Sequence, residues 1–154
     1  MSDNQLTRHG PFQELVGYEV VNDDQYGALV TTKIAEKHLN LNGVPHGGLV
    51  MTMLDAIGGR IVKVSQASIE SVVTINLLVD FLKPCREGTL IAVGECEQIG
   101  KTIAFTNGNQ GECEQIGKTI AYVNLKLYLD EIGGTVIAKG SGTYRVFNKS
   151  LVSK

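Results

Sequence analysis

The residues best suited to chemistry lie in one short segment, His46-Gly47-Gly48, and at Asp55, nine positions after the histidine. Asp55 interrupts an apolar stretch, and a carboxylate removed from water is costly unless it is paired or used. It is therefore a candidate site residue, although a structural aspartate that faces solvent would fit the same pattern. The two glycines near a helix start would leave backbone N–H groups uncovered for developing negative charge. His46 carries less weight, because a histidine at a helix start often only caps the helix.

A single long helix must carry these residues. Apolar side chains recur every three or four positions from residue 46 to about 65, which is typical of an α-helix with a buried face. They are Leu49, Val50, Met53, Leu54, Ile57, Ile61 and Val64. All other long segments favour strands. One helix with about five to six strands, mostly joined by hairpins, predicts an α+β domain in which an antiparallel sheet is wrapped around one long central helix.

The remaining elements follow from residue type and alternation. A short helix is expected near residues 11–16, where the apolar spacing is helical. Alternating apolar residues and bounding turn residues predict the strands. The expected strands cover residues 27–35, 73–81, 90–97, 121–129 and 135–147.

The composition excludes several classes of protein. A chain of 154 residues predicts one domain, covering residues 1–154. The net charge of -2 and the absence of a Lys/Arg run argue against nucleic-acid binding. We expect neither a membrane span nor secretion, because no apolar stretch is long enough to cross a membrane and residues 1–10 are polar. Its three cysteines lack the spacing of a metal site, so we expect free thiols in the cytoplasm and no metal.

Residues 94–104 recur without any change at residues 111–121. Two identical copies do not make a solenoid, which needs about three diverged repeats, so we interpret them as a local tandem duplication. The duplication would insert a hairpin arm or a disordered loop at about residues 101–117. Asn107-Gly108 is a strong hairpin signal within it. If the insert simply lengthens a shorter hairpin, Glu97 should pair with Thr119.

The helix-start residues together resemble the motif of the hotdog-fold acyl-CoA thioesterases, and most closely that of the phenylacetate-pathway (PaaI-like) branch. The motif consists of Asn40, Gly43, His46, Gly47, Gly48 and Asp55. The resemblance continues through residues 74–84 and covers the chain from Phe12 to about Phe147, apart from the 17 extra residues. It implies a hotdog fold and hydrolysis of an acyl-CoA substrate without a metal or organic cofactor. It does not specify the acyl group.

The same resemblance implies roles for individual residues. Asp55 matches the catalytic carboxylate, acting as general base for water or as nucleophile. Gly47 matches the residue whose backbone N–H binds the oxyanion. Asn40 and His46 match polar residues that border the site, and Thr74 matches a hydroxyl residue that helps to place the attacking water.

Strand alternation bears on the role of Thr74. It puts Thr74 on the face of Asn76 and Asp80, opposite the apolar face of Ile75 and Val79. A surface threonine without a catalytic role is therefore the alternative interpretation.

The spacing of the helix residues predicts self-association. Gly47 and Asp55 are separated by about 12 Å along one helix, yet a base and an oxyanion donor must both lie within about 3 Å of the reacting centre or its water. Two antiparallel helices from two chains meet this condition, with Asp55 of one chain facing Gly47 of the other. We therefore expect a homodimer or a dimer of dimers with sites shared between chains.

Two other functions fit the same fold. The main alternative is a non-catalytic protein that binds or senses acyl-CoA, but a pure binding protein has no use for a buried base. A hydratase or dehydratase is less well supported, because those enzymes carry their acid–base pair in a different helix-start motif.

Overall fold

The computed structural model describes residues 9–101 and 119–149. Two helices, one 3₁₀ turn and six strands make up these residues. In chain order they are α1 (Pro11–Val16), β1 (Glu19–Asp23), β2 (Gly27–Lys33), the 3₁₀ turn (Glu36–His38), α2 (Gly47–Ser65), β3 (Ile69–Phe81), β4 (Thr89–Lys101), β5 (Thr119–Leu129) and β6 (Thr135–Asn148). The long helix and strands β2 to β6 therefore lie where the apolar patterns predict them.

The six strands form one antiparallel sheet in the order β1-β2-β4-β5-β6-β3. Three antiparallel pairs consist of strands that are consecutive in the sequence: β1 with β2, β4 with β5, and β5 with β6. The crossover from β2 through α2 takes the chain to the other edge of the sheet, where β3 pairs only with β6 among the described strands. The predicted α+β architecture is confirmed, and its topology leaves β3 as a long edge strand.

The sheet packs against α2 to form the core. The helix contacts every strand from β2 to β6. Its buried residues are Leu49, Val50, Met53, Leu54, Ile57, Gly58, Ile61 and Val62. This apolar face agrees with the predicted stripe except near the end of the helix, where Val62 is buried and Val64 is exposed.

The predicted faces of β3 are correct at Val79 and Asp80 but wrong at Thr74 and Ile75, because the strand contains a bulge. Thr74 pairs with Tyr144 of β6 but Asn76 pairs with Thr143, so Ile75 has no partner position of its own. An extra residue of this kind reverses the alternation of side chains along the strand. Thr74 consequently lies on the side of α2, while Ile75 is 51% exposed.

The predicted pairing of Glu97 with Thr119 is also wrong. Thr119 pairs with Lys101, and Gly100 pairs with Ile120, so β4 continues past the point at which a short hairpin would turn. A register shift between Cys96 and Gln98 accounts for part of the difference. The predicted insert at about 101–117 lies almost entirely outside the described residues.

Neither helix in residues 9–101 and 119–149 is long and apolar enough to cross a membrane.

Candidate functional site

Asp55 is half-buried on α2, and its side chain faces two hydroxyl groups from the sheet. Its Oδ1 accepts a hydrogen bond of 2.8 Å from Thr74 Oγ1 on β3. The hydroxyl of Tyr144 on β6 lies 3.4 Å from the same oxygen. Asp55 thus has the polar partners that a carboxylate in an apolar helix requires. Both partners are neutral hydroxyl groups, so neither contact pairs the Asp55 side chain with a cation.

Tyr144 belongs to this candidate site, although no sequence motif pointed to it. The residue is 1% exposed. Burial raises the pKa of its hydroxyl, and the negative charge of Asp55 and the hydrogen bond to it raise that pKa further. The phenol therefore remains protonated at neutral pH and acts as a donor. Tyr144 and Asp55 lie far apart in the sequence, so only the folded structure shows that their side chains are close.

The start of α2 forms a second group of candidate residues. His46 is the N-cap, and its Nδ1 accepts a hydrogen bond of 2.9 Å from the N–H of Gly48. The carbonyl of His46 accepts the N–H of Leu49 at 2.9 Å. Among the described residues, the N–H of Gly47 has no hydrogen-bond partner. This free donor lies at the positive end of the helix dipole, where it can bind an oxyanion.

Asn40 shapes the loop that leads into α2. Its side-chain oxygen accepts hydrogen bonds from the N–H groups of Asn42 at 2.9 Å and Val44 at 3.4 Å. Gly43 provides the left-handed turn residue, with φ of 69°. The guanidinium of Arg86 donates to the carbonyl of Asn42 at 3.2 Å and secures the loop from outside. Asn40 therefore fixes the entry of the chain into the helix start.

Two largely apolar grooves flank the beginning of α2. One, of about 420 Å³, is lined by Phe12, Leu15, Val16, Lys37, His38, His46, Gly48, Leu49 and Thr52. The other, of about 270 Å³, is lined by Val44, Pro45, Gly47, Val50, Phe81, Leu82, Lys83, Pro84, Cys85 and Ile137. Both grooves border the helix-start glycines, so an apolar group of a ligand could lie beside either one.

The first groove depends on the docking of α1. His38 is buried and its two ring nitrogens contact the backbone of Ala35 at 3.0 Å and the carbonyl of Val16 at 2.7 Å. Lys37 donates to the carbonyl of Leu15 at 3.1 Å. These contacts hold the end of α1 against the chain that precedes the helix start.

Within one chain, the predicted site residues form two separate groups. Asp55 and Thr74 are in direct contact, whereas Asn40, His46 and Gly47 lie at the helix start. Asp55 and Gly47 are both on the regular helix α2, so the spacing of about 12 Å between them holds. A single chain does not bring the carboxylate and the free N–H to one reacting centre.

Within residues 9–101 and 119–149, no cluster of three His, Cys, Asp or Glu side chains is arranged to hold a metal ion. Cys85 and Cys96 are free thiols, and burial is the main cause of the raised pKa of each. Neither thiol therefore has the lowered pKa of a reactive cysteine.

The sequence and the fold match known proteins. The thioesterase superfamily matches residues 42–109, which include the helix start, Asp55 and Thr74. PA0474 of Pseudomonas aeruginosa, provisionally named an esterase, is 32% identical over 104 residues, which are 66% of this chain and 78% of that protein. The chain therefore belongs to the thioesterase superfamily, and its sheet and long helix form the hotdog fold of that superfamily.

Solved structures support the same fold. BH2602 from Bacillus halodurans, determined with CoA, has a TM-score of 0.70 and 23% identity, covering 94% of this chain and 83% of that one. Thioesterase HI1161 from Haemophilus influenzae has a TM-score of 0.71 and 16% identity, covering 92% of this chain and 85% of that one. At these identities the structures establish the fold alone. Family membership supports a hydrolase of the ester and thioester class.

Proposed function

We propose that this protein hydrolyses acyl-CoA thioesters to a free acid and coenzyme A, as a member of the PaaI-like branch. The observation that carries the proposal is the hydrogen bond of 2.8 Å from Thr74 to Asp55, which holds a carboxylate at the surface of an otherwise apolar helix. The free N–H of Gly47 supplies the second element of thioester chemistry. A thioester needs no further activation than a base and an oxyanion hole.

In the proposed reaction, Asp55 removes a proton from water as the water oxygen attacks the carbonyl carbon of the thioester. The carbonyl oxygen becomes an oxyanion that accepts a hydrogen bond from the N–H of Gly47. The carbon–sulfur bond then breaks, and the coenzyme A thiolate takes up a proton. Thr74 orients the carboxylate and helps to place the water, while His46 and Asn40 hold the helix start and border the carbonyl.

The proposed active site is shared between two chains. Asp55 of one chain would face Gly47 of its partner across two antiparallel copies of α2, because one helix separates the two groups by about 12 Å. The described surface supports self-association. On the edge strand β3, Val73 is 56%, Ile75 51%, Leu78 63% and Phe81 56% exposed. A long edge strand with exposed apolar residues is normally covered in a native protein.

A homodimer, alone or paired into a dimer of dimers, would cover this strand and enclose Asp55 and Thr74. It would also remove water from the carboxylate, which strengthens its electrostatic interactions with the substrate. Each dimer would then contain two equivalent sites.

Coenzyme A is the proposed thiol because the related structure of BH2602 was determined with CoA. The grooves beside the helix start have mainly apolar walls, which suit the acyl group of such a substrate. We further propose that residues 1–154 form one thioesterase domain with a duplicated insert at about 101–117. A cytoplasmic location would give the domain access to acyl-CoA.

A panel of acyl-CoA thioesters tests the proposal. Aryl, short-chain and medium-chain acyl-CoAs would be incubated with the protein, and free thiol would be measured over time. We expect catalytic turnover of at least one thioester, many times faster than in buffer. Equilibrium binding measured in parallel separates the alternative function: saturable binding of acyl-CoA without thiol release would indicate a binding protein and would contradict the proposed hydrolysis.

A further inference from the structure

Tyr144 and Thr74 form a pair of hydroxyl donors on adjacent strands. They are direct partners in the register of β6 and β3, so their side chains lie side by side on the face of the sheet that contacts α2. Both hydroxyls approach Asp55 Oδ1, Thr74 at 2.8 Å and Tyr144 at 3.4 Å. The Tyr144 hydroxyl also lies 3.4 Å from the backbone carbonyl oxygen of Asp55, so both of its acceptors belong to that residue. A distance of 3.4 Å is long for a hydrogen bond, and such distances in an unliganded site often shorten when substrate binds.

Two glycines provide the space for the Tyr144 ring. A Cβ atom added to Gly58, one helical turn after Asp55, would lie 2.6 Å from Tyr144 Cζ. A Cβ atom at Gly142 would lie 2.5 Å from Tyr144 Cε2. Neither glycine has a positive φ, so available volume rather than backbone conformation explains them. Gly58 lies in a helix, where a glycine costs about 1 kcal/mol relative to alanine. This unfavourable glycine stands at the helical position that faces the tyrosine hydroxyl.

The negative charge of Asp55 acts on two phenols, those of Tyr18 and Tyr144. Burial raises the pKa of Tyr18, and the charge of Asp55 raises it further. The same two effects act on Tyr144, which also donates to the carboxylate. Both tyrosines are therefore neutral at physiological pH, and only Tyr144 is within reach of the carboxylate oxygen.

We infer that Tyr144 is a positioning residue for Asp55, holding Oδ1 together with Thr74 so that Oδ2 remains available to take the proton of water. Among the described residues no side chain hydrogen-bonds Oδ2. The inference rests on the proposed thioesterase function for its catalytic consequence. The contact itself can be tested without that function.

The first test is the Tyr144→Phe variant, which keeps the ring in its slot and removes only the hydroxyl. We expect kcat to fall on the order of 10-fold with little change in KM, as for loss of one hydrogen bond to a charged group. The acidic limb of the kcat profile should move to higher pH, because the ionised carboxylate loses a donor. Tyr128→Phe is the matched control, since Tyr128 is a buried tyrosine of β5, 9% exposed, without a recorded contact to Asp55.

A double-mutant cycle tests whether the two hydroxyls act on one group. Thr74→Val and Tyr144→Phe, singly and combined, should show a clear departure from additivity in kcat, because both donors hold the same oxygen. Additive effects would mean that the two residues act separately, and would overturn the inference.

The second readout does not require activity. Carboxyl ¹³C NMR of aspartate-labelled protein follows the protonation of Asp55, whose signal is assigned by its loss in Asp55→Asn. Tyr144→Phe should move the midpoint of this titration to higher pH, and Tyr128→Phe should not. If both variants match the wild type in titration and in pH profile, the inference is wrong.

The two readouts separate the two proposals. If the wild-type protein releases no thiol from any acyl-CoA, the proposed function is wrong. If the titration of Asp55 nevertheless responds to Tyr144→Phe, the inferred contact between Tyr144 and Asp55 still holds. An active enzyme that loses turnover with Asp55→Asn but is indifferent to Tyr144→Phe would keep the function and exclude the role of Tyr144.

Discussion

Replacing Gly47 by proline removes the proposed oxyanion donor with little other change. Gly47 is the first residue of α2, a position where proline is favourable because the N–H makes no intrahelical hydrogen bond. His46, with φ of -59° and ψ of 138°, already has the extended conformation that a residue before proline requires. The substitution therefore deletes one N–H at a position where the helix does not need it.

The expected size of the effect follows from this geometry. Loss of one oxyanion-hole donor lowers kcat by about 100- to 1,000-fold. The stability of the fold should change by no more than about 1 kcal/mol, because no backbone hydrogen bond of the described chain is broken. We would measure kcat and KM by thiol release with the best acyl-CoA of the panel, and the melting temperature of the same preparations.

Gly47→Ala is the matched control because it adds a side-chain atom and retains the N–H. A Cβ atom at Gly47 would lie 3.4 Å from Phe81 Cε1, an ordinary contact, so the alanine variant should fold and keep most of its activity. If Gly47→Pro folds and retains wild-type kcat, the Gly47 N–H does not bind the oxyanion. Equal losses in both variants would instead point to crowding near Phe81, and would also contradict the assigned role.

Three further predictions concern assembly and the repeat. Refolding Asp55→Asn chains with Gly47→Pro chains should restore activity, because each mixed dimer has one site in which both groups are intact. Such a dimer should have about half the activity of a wild-type dimer. Confirmed mixed dimers without activity would contradict the shared site. Leu78→Lys should weaken self-association, measured by light scattering, since a lysine on an exposed edge strand opposes pairing. Leu41→Lys, at a fully exposed loop position, should not weaken it. Equal behaviour of the two variants would exclude this edge as the interface. Deleting residues 101–117 should leave a protein that folds and shows a cooperative thermal unfolding transition. The observed pairing of Gly100 with Ile120 would then leave Lys118 and Thr119 as a two-residue turn. Failure to fold would mean that the repeat is part of the core.

The helix and the site that it carries were predictable because their signals are local. The apolar stripe from Leu49 onward has the helical period, and the resulting α2 begins at Gly47 as the motif required. Asp55 stood out as an acid within that stripe. Its hydrogen bond with Thr74 was not predicted, because the resemblance only placed Thr74 beside the attacking water and the two residues are on different elements.

The errors arose where local pattern does not determine pairing. Alternation along β3 predicted the wrong face for Thr74, because no sequence signal marked the bulge at Ile75. The pairing partner of Thr119 depends on how far β4 continues, and the repeated sequence did not determine where that strand ends.

Tyr144 was missed for a related reason. It reaches Asp55 only because β6 lies beside β3 in the sheet, and these two strands are not consecutive in the sequence. Gly58, a glycine inside a helix, was the available signal that a large side chain from elsewhere packs there.

The most direct test of the proposed function is the turnover of Asp55→Asn. Asparagine keeps the size of the side chain and can still contact Thr74, but it cannot take a proton from water. We expect kcat for the best acyl-CoA substrate to fall by about 100-fold or more, with the fold and oligomer size unchanged. An Asp55→Asn protein that hydrolyses acyl-CoA at the wild-type rate would show that Asp55 is not the base and that the proposed mechanism is wrong.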